Sequence, residues 1–213
     1  MVPDTLNIAI FASGRGSNFK AILDEIEHGK IHNARIVLVI SNNPEAGALT
    51  TARDHDIPSV HLNRKQFDSD ASFNREILDR LRKHGANFIA LAGYLKKIDS
   101  VIVRAFKNRI LNVHPALLPS FGGTGMYGMF VHEAVIASKA KYSGATVHIV
   151  DEEYDRGPVV LQRRVELAED ETPETLAAKV LRVEHQIYPE AIRLFAEGRV
   201  QVQDRHVAIT EKE

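Results

Sequence analysis

With 213 residues, 44% of them hydrophobic and 26% charged, the chain can bury a sizeable core without covalent staples. It contains no cysteine, which excludes disulfides, a thiol nucleophile, iron–sulfur clusters and cysteine-ligated zinc. A formal net charge of −1 excludes a global field that would attract nucleic acid or an anionic membrane. In chain order, residues 1–7 lack the basic and apolar regions of a signal peptide, and no apolar run approaches the roughly 20 residues of a membrane span. The expectation is a soluble, cytoplasmic protein, a single domain over residues 1–213 with polar, frayed ends at 1–5 and 207–213.

Residues 8–12 are a short apolar run of the kind buried on both faces of a sheet. Residues 13–18 break it, and Phe19, Ile22, Leu23 and Ile26 then recur at helical spacing. A β-branched run at 36–40, a polar helix at 45–54 and a third strand at 57–62 follow. Phe73, Ile77, Leu78 and Leu81 mark an amphipathic helix that ends near Gly85. Residues 88–92 and 110–113 are two more strands. Alternating strands and helices argue for an α/β, doubly wound, mostly parallel sheet, whose ligands sit beyond the carboxyl ends of the strands. The turns after Ala12, Ala92 and Val113 should therefore face one cleft. Strands at 142–150 and 159–165 suggest an antiparallel extension. Thr172 as N-cap and Pro173 at the first helical position open a last helix, with a capping box at Thr175 that lacks the usual Glu or Gln. That helix runs to Glu197, with Pro189 as a kink, and stops at Gly198.

Three constellations carry chemistry. Gly14, Arg15, Gly16, Ser17 and Asn18 sit between the first strand and the first helix, where backbone N–H groups and the helix N-terminus can hold a phosphate. Phe19 stands where a dinucleotide fingerprint has its third glycine, and a helix cap in a tight turn would read the same way. Asn112 and His114 lie two residues apart at a strand end, on one side of the strand, and Pro115 ends it. A carboxamide can donate to a developing oxyanion and an imidazole titrates near neutrality; a pair of edge residues bracing a loop is the alternative. The acidic turn 151–158 follows a strand, and Gly157 with Pro158 sets Asp155 apart from its solvated neighbours. A carboxylate beside His114 would raise its pKa and orient the ring. No His-Glu-x-x-His or comparable pair appears, so no metal is expected; His28, His32, His55, His61, His84 and His206 have no assigned role, and His132 and His185 are placed near the cleft without one.

These segments, with Leu91 to Tyr94, Asn112 to Pro119, Gly144 to His148 and Glu184 to Pro189, resemble in order the motifs of the phosphoribosylglycinamide formyltransferase family, over about residues 6–202. The resemblance implies a Rossmann-like formyltransferase fold and transfer of the formyl group of 10-formyltetrahydrofolate to the amine of glycinamide ribonucleotide in purine biosynthesis. It implies that Gly16, Ser17 and Asn18 hold the substrate phosphate and that Glu184 contacts the glycinamide end. Asn112 would donate to the formyl oxygen. His114 would support the oxyanion or move protons, and Asp155 would position His114 and a bridging water. The folate would lie along Leu95, Lys96, Lys97 and Ile98 and along Asp151, Glu152, Glu153, Tyr154 and Asp155, with Asn112 beside it. His148 is a second candidate after His114, with structural support as its favoured reading. Asp70 stands where several members carry an arginine near the folate tail, so Lys96 and Lys97 would supply that charge instead. Ile149 replaces a commonly aromatic residue as a packing change, and the glycine-rich stretch 121–128 is either a lid over the folate or a flexible connection.

Four rivals are weighed against this. A hydrolase releasing formate from the same folate shares the Asn, His and Asp logic but needs no phosphorylated acceptor and usually carries an extra amino-terminal domain. A formyltransferase acting on initiator tRNA usually has an added carboxyl-terminal domain and a basic surface. A non-catalytic binding protein has no use for Asn112, His114 and Asp155 together. A nicotinamide oxidoreductase lacks its third glycine. The expected partners are small molecules, not nucleic acid or membrane, with the chain a monomer or homodimer.

Overall fold

The computed structural model describes residues 5–211; residues 1–4 and 212–213, the outermost part of the ends expected to fray, lie outside the described residues. The elements run β1 (Leu6–Ala12), α1 (Ser17–Glu27), β2 (Ala34–Ser41), α2 (Gly47–Asp54), β3 (Ser59–His61), α3 (Asp70–Lys83), β4 (Phe88–Leu91), α4 (Ser100–Ala105), β5 (Ile110–His114), α5 (Met129–Ala137), β6 (Tyr142–Ile149), β7 (Val159–Glu166), α6 (Pro173–Ala196), β8 (Val200–Gln203) and β9 (His206–Ile209). A seven-stranded sheet has the order β3-β2-β1-β4-β5-β6-β7. The first five of these pair in parallel, and β6 and β7 add antiparallel pairs, as the sequence suggested. Strand order reverses between β1 and β4, so the crevice that a doubly wound sheet offers to ligands opens at their carboxyl ends.

The apolar runs are continuous because both faces of the sheet are covered. In β1, Ile8, Ile10 and Ala12 pack into the cluster shared with α1, α2, α5 and α6, whereas Ala9 and Phe11 join Ile77, Leu81 and Ile102 of α3 and α4 on the other face. Ile8 and Phe11 are fully buried, and each such side chain contributes roughly 1.5–3 kcal/mol. α6 begins as its sequence signals: the Thr172 hydroxyl accepts from Thr175 N–H at 3.3 Å, and Thr175 returns the bond with its own hydroxyl at 3.0 Å. The helix passes through Pro189 as one element. Tyr188, wholly buried, donates its hydroxyl hydrogen between the carbonyls of Leu91 (3.1 Å) and Leu111 (3.0 Å), which docks α6 on β4 and β5.

Two expectations change. The third strand is shorter than 57–62, covering only Ser59–His61. The tail does not fray from residue 207: His206–Ile209 pairs with Val200–Gln203 through a tight turn with Asp204 and Arg205 at φ 45° and 69°. Val200, Val202 and Val207 pack against the main core, and this apolar side of the hairpin was masked by the polar residues between them.

Candidate active site

The turn after β1 is built around Gly16, whose φ of 77° lies in the left-handed region. A Cβ there would stand 2.8 Å from the Ala48 Cβ, so the close approach of α1 and α2 requires glycine. No side chain caps α1, which leaves the N–H groups of its first turn to an anion. Arg15 and Asn18 line the large cavity at this edge of the sheet, while Gly16 is buried beneath it and Ser17 half-buried; neither Gly16 nor Ser17 lines it. The neighbouring turn is tied in by Ser13, whose N–H donates to Gly93 O at 3.0 Å and whose hydroxyl accepts from Leu95 N–H at 2.9 Å. The turns after β1, β4 and β5 thus share one cleft.

Asn112 and His114 both line that cavity from the end of β5. Antiparallel pairing sets His148 opposite Asn112 and Thr146 opposite His114. Asn112 Nδ2 stands 3.2 Å from His148 Nε2, and His148 Nδ1 is 3.0 Å from the Ile149 carbonyl. A carbonyl only accepts, so His148 carries its hydrogen on Nδ1, and its Nε2 accepts from Asn112. By the same logic His114 donates from Nε2 to the Phe121 carbonyl at 2.7 Å. Asp155 joins the two rings: Oδ2 lies 3.6 Å from His114 Nδ1, and Oδ1 lies 3.5 Å from His148 Nε2. His148 is therefore part of the constellation, the second of the two possibilities open to it.

Burial pulls the His114 imidazole below its ordinary pKa, and the neighbouring His148 adds to this; the Asp155 carboxylate and the Phe121 carbonyl pull the other way without overcoming it. The expected upward pull of Asp155 is present, but the net direction is downward, because His114 is only 3% exposed. For Asp155, burial raises the pKa, but His148, His114 and the Gly123 N–H outweigh it and hold the carboxyl below its usual range. The site thus sets a carboxylate, favoured in its charged form, beside a His114 imidazole that burial favours in its neutral form.

Asp155 is held from three sides. Its backbone sits at φ 53°, and its Oδ2 accepts from Gly123 N–H at 2.9 Å. A Cβ on Gly157 would fall 1.7 Å from the Ile149 carbonyl, so this turn folds back on β6 only with glycine there. Arg205, from the β8–β9 turn, donates to Asp151 Oδ2 at 2.9 Å and to the carbonyl of Arg156. These contacts bracket Asp155 in the chain.

Glu184 lies one helical turn before Tyr188 on the same face of α6, is 8% exposed and accepts from Asn18 Nδ2 at 2.6 Å. Burial raises its pKa from 4.5 to about 7, and the Asn18 bond opposes this only in part. Because the folded-state value is raised, the associated stability is complete below the unfolded value and is lost as pH rises through about 7. The shift from 4.5 to about 7 corresponds to a loss on the order of 3 kcal/mol. Glu184→Gln, which stays neutral, is expected to gain stability over the wild type between pH 5 and pH 8 by that order, read from urea melts of the free protein at both pH values. An offset that does not change with pH would contradict the buried, proton-binding carboxyl.

The cavity holds about 680 Å³, a volume suited to a small-molecule ligand. Of the residues assigned to the folate, Leu95, Lys96, Lys97, Ile98, Asn112, Asp151, Glu153, Tyr154 and Asp155 line it. Lys97 Nζ lies 5.4 Å from the centre of the Tyr154 ring and links the two segments. Leu95, Tyr127, Met129 and Tyr154 give it an exposed apolar rim. Glu152 does not join them: it pairs with Arg104 at 3.1 Å and lines an adjoining cavity of about 490 Å³ with Lys96, Lys97 and Arg64. Asp70 lies in that cavity too, ion-paired to Arg64, so Arg64 sits near where an arginine at position 70 would have stood. Ile149 is a core residue at 1% exposure. Residues 123–129 form one wall of the main cavity, tied at Phe121 and Gly123 to His114 and Asp155.

Several participants escaped sequence reasoning. α5 is apolar apart from His132 and Glu133, so no clear amphipathic stripe announced the helix, although His132 itself had been placed near the cleft. α4 had a readable signal, the Asp99 side chain accepting from Val101 N–H at 2.9 Å. The Phe121 carbonyl, the Gly123 N–H and Arg205 carry no motif. His132 lines the cavity, whereas His185 does not. Among the described residues no group of three or more His, Asp or Glu side chains is arranged to hold a metal ion, and no helix is long and apolar enough to cross a membrane.

Comparison with known proteins places these features in a wider group. The Formyl transferase family matches residues 6–192. The chain is 45% identical over 199 residues to the chloroplastic phosphoribosylglycinamide formyltransferase of Arabidopsis thaliana, covering 93% of this chain and 68% of that protein. It is 36% identical to the phosphoribosylglycinamide formyltransferase of Bacillus subtilis, covering 87% of this chain and 92% of the relative. The crystal structure of glycinamide ribonucleotide transformylase 1 from Symbiobacterium toebii superposes with a TM-score of 0.91 at 38% identity, covering 97% of this chain and 95% of that one.

Proposed function

Since the chain belongs to the phosphoribosylglycinamide formyltransferase family of formyl transferases, we propose that it transfers the formyl group of 10-formyltetrahydrofolate to the amine of glycinamide ribonucleotide, a step of purine biosynthesis. The observation that carries this reading is the meeting of Asn112, His114, His148 and Asp155 on one cavity that Asn18, in the first turn of the uncapped helix α1, also lines. A formate-releasing hydrolase has no need of that helix N-terminus. A binding protein has no need of an imidazole–carboxylate–imidazole cluster.

In this reading the α1 turn, with Gly16, Ser17 and Asn18, takes the phosphate, and Glu184 with Asn18 faces the acceptor's hydrogen-bond donors. The apolar cavity between 95–98 and 151–155 takes the folate ring system, and Lys96, Lys97 and Arg64 meet its anionic tail in the adjoining cavity. Asn112 Nδ2 has two hydrogens; one serves His148, and the other is free for the formyl oxygen as negative charge develops there. A C–N bond forms to the acceptor amine, the C–N10 bond breaks, and one proton passes from the amine to N10. Neutral His114 beside anionic Asp155 is the pair suited to accept and return that proton. His114 Nε2 is held by the Phe121 carbonyl, so the 121–128 wall has to yield for this nitrogen to face substrate. The same reading takes the protein to be one cytoplasmic domain, monomer or homodimer, acting on small molecules without metal, nucleic acid or membrane.

The test is an acceptor-dependence assay. Purified protein with 10-formyltetrahydrofolate should release tetrahydrofolate only when glycinamide ribonucleotide is added. Equal release without it would favour the hydrolase, and ligand binding without release would favour the binding protein.

A further inference from the structure

The turn 151–156 supplies Asp151, Glu153, Tyr154 and Asp155 to the wall of the main cavity. Among the described residues, no backbone-to-backbone hydrogen bond involves residues 151–157, so the hold on this turn falls to side chains. Asp151 caps it from within, its Oδ1 accepting from Glu153 N–H at 3.0 Å. Arg104 of α4 holds Glu152, which faces the adjoining cavity. Arg205 reaches both ends: Nη1 donates to Asp151 Oδ2 at 2.9 Å, and Nη2 donates to the Arg156 carbonyl. It does not line the main cavity itself.

Arg205 occupies an unfavourable backbone position. It stands at φ 69° in the tight turn between Gln203 and His206, after Asp204 at φ 45°. A turn of this kind favours glycine at its second central position, because a side chain is disfavoured in the left-handed region. The arginine is therefore a local cost to the hairpin. The hairpin itself does not use the side chain. Thr210 N–H closes its base on Arg199 O at 2.9 Å, and Val200, Val202 and Val207 anchor it in the core. The ion pair contributes little stability in return, since the Arg205 side chain is 64% exposed. Strain at one residue, with both side-chain partners on the turn that carries Asp155, is the pattern of a functional constraint.

We propose that Arg205 is a positioning residue for the reaction: from the β8–β9 hairpin it clamps both ends of the 151–156 turn, and so fixes Asp155 against His114 and His148 and fixes the folate wall of the cavity. This rests on the transferase reading above. A planar guanidinium presents several donors in a fixed fork, which suits a carboxylate and a carbonyl held at once; an ammonium is a single point.

Thermal melts and initial rates of the whole protein, with each substrate varied in turn, test this in Arg205→Gly and Arg205→Lys. Glycine removes the clamp and the backbone strain together, so stability and activity should part company. Arg205→Gly is expected to melt no lower than the wild type, while kcat falls about tenfold and KM for 10-formyltetrahydrofolate rises about fivefold, the scale of a small misplacement of catalytic groups. KM for glycinamide ribonucleotide should stay within about twofold, because the groups assigned to it lie on α1 and α6. The His114 pKa, read by NMR titration, should fall: burial lowers it, and Asp155 supplies the main upward pull. Arg205→Lys, which keeps the charge beside Asp151, should recover part of both kinetic losses. Combining Arg205→Gly with Asp151→Asn should cost less than the product of the two single effects, since they remove one shared contact. Unchanged kcat and folate KM in Arg205→Gly overturn the proposal. A lowered melting temperature with both KM values raised, not recovered by lysine, marks a purely structural role and also overturns it. Failure of the wild type itself to use glycinamide ribonucleotide would instead remove the transferase reading, before any variant is compared.

Discussion

Asp155→Asn is expected to lower turnover by about 10³–10⁴-fold, as neutralising the carboxylate that orients a catalytic imidazole does in other enzymes. One carboxylate serves two rings here, His114 at 3.6 Å and His148 at 3.5 Å, and it also anchors the Gly123 N–H. An amide carries no charge to stabilise a protonated imidazole beside it. Three consequences separate this from a general loss of structure. The pKa of His114, already depressed by burial, should fall further once the carboxylate's upward pull is gone, which NMR titration of the ring would show. Both KM values should change little, because Asp155 acts on the reacting atoms. Single-turnover kinetics should show the loss in the chemical step. A variant with more than a tenth of wild-type turnover would remove Asp155 from the mechanism.

Asn112→Ala should cost about 10²–10³-fold in kcat, the usual effect of deleting one oxyanion donor. The change leaves β5 intact, since the backbone pairing of Asn112 with Leu91 and His148 does not involve the side chain. It also frees His148 Nε2 from its 3.2 Å contact, so the His148 ring loses a partner beside Asp155. Steady-state rates at saturating substrates measure the effect. Because the interaction strengthens only as charge develops on the formyl oxygen, kcat should fall far more than either KM rises. Wild-type turnover in this variant would mean that the donor to the formyl oxygen lies elsewhere.

The two variants also bear on how far the site was readable beforehand. Asn112 and His114 were legible because alternation in a strand is a local property: two residues apart means one side, and Pro115 marks the carboxyl end. Glycines 14 and 16 at the start of a helix were legible for the same reason. His148 was read as support because its partners are Asn112, 36 residues away, and Asp155, on a separate turn. Only the antiparallel register of β5 and β6 brings them together. Glu152 and Glu153 looked alike in the acidic turn, yet the path of the chain sends one to each cavity. The hairpin at 200–209 was missed because its strands are four residues each and only its three valines reach the core.

The residues in order were enough to specify the alternation of strands and helices, the parallel sheet with its antiparallel extension, the edge on which ligands bind and the kinds of groups available there. Those follow from periodicity, from turn chemistry and from the lack of any thiol, which leave imidazole, amide and carboxylate to handle a reaction whose nucleophile is the substrate's own amine. The tertiary structure alone decided the protonation states and partnerships. It sets His114 below its ordinary pKa and Glu184 at about 7, spans two imidazoles with one carboxylate, and braces that carboxylate's turn with Arg205. Burial and charge separation depend on which distant segments meet, and that is settled by sheet order and helix packing rather than by neighbours in the chain.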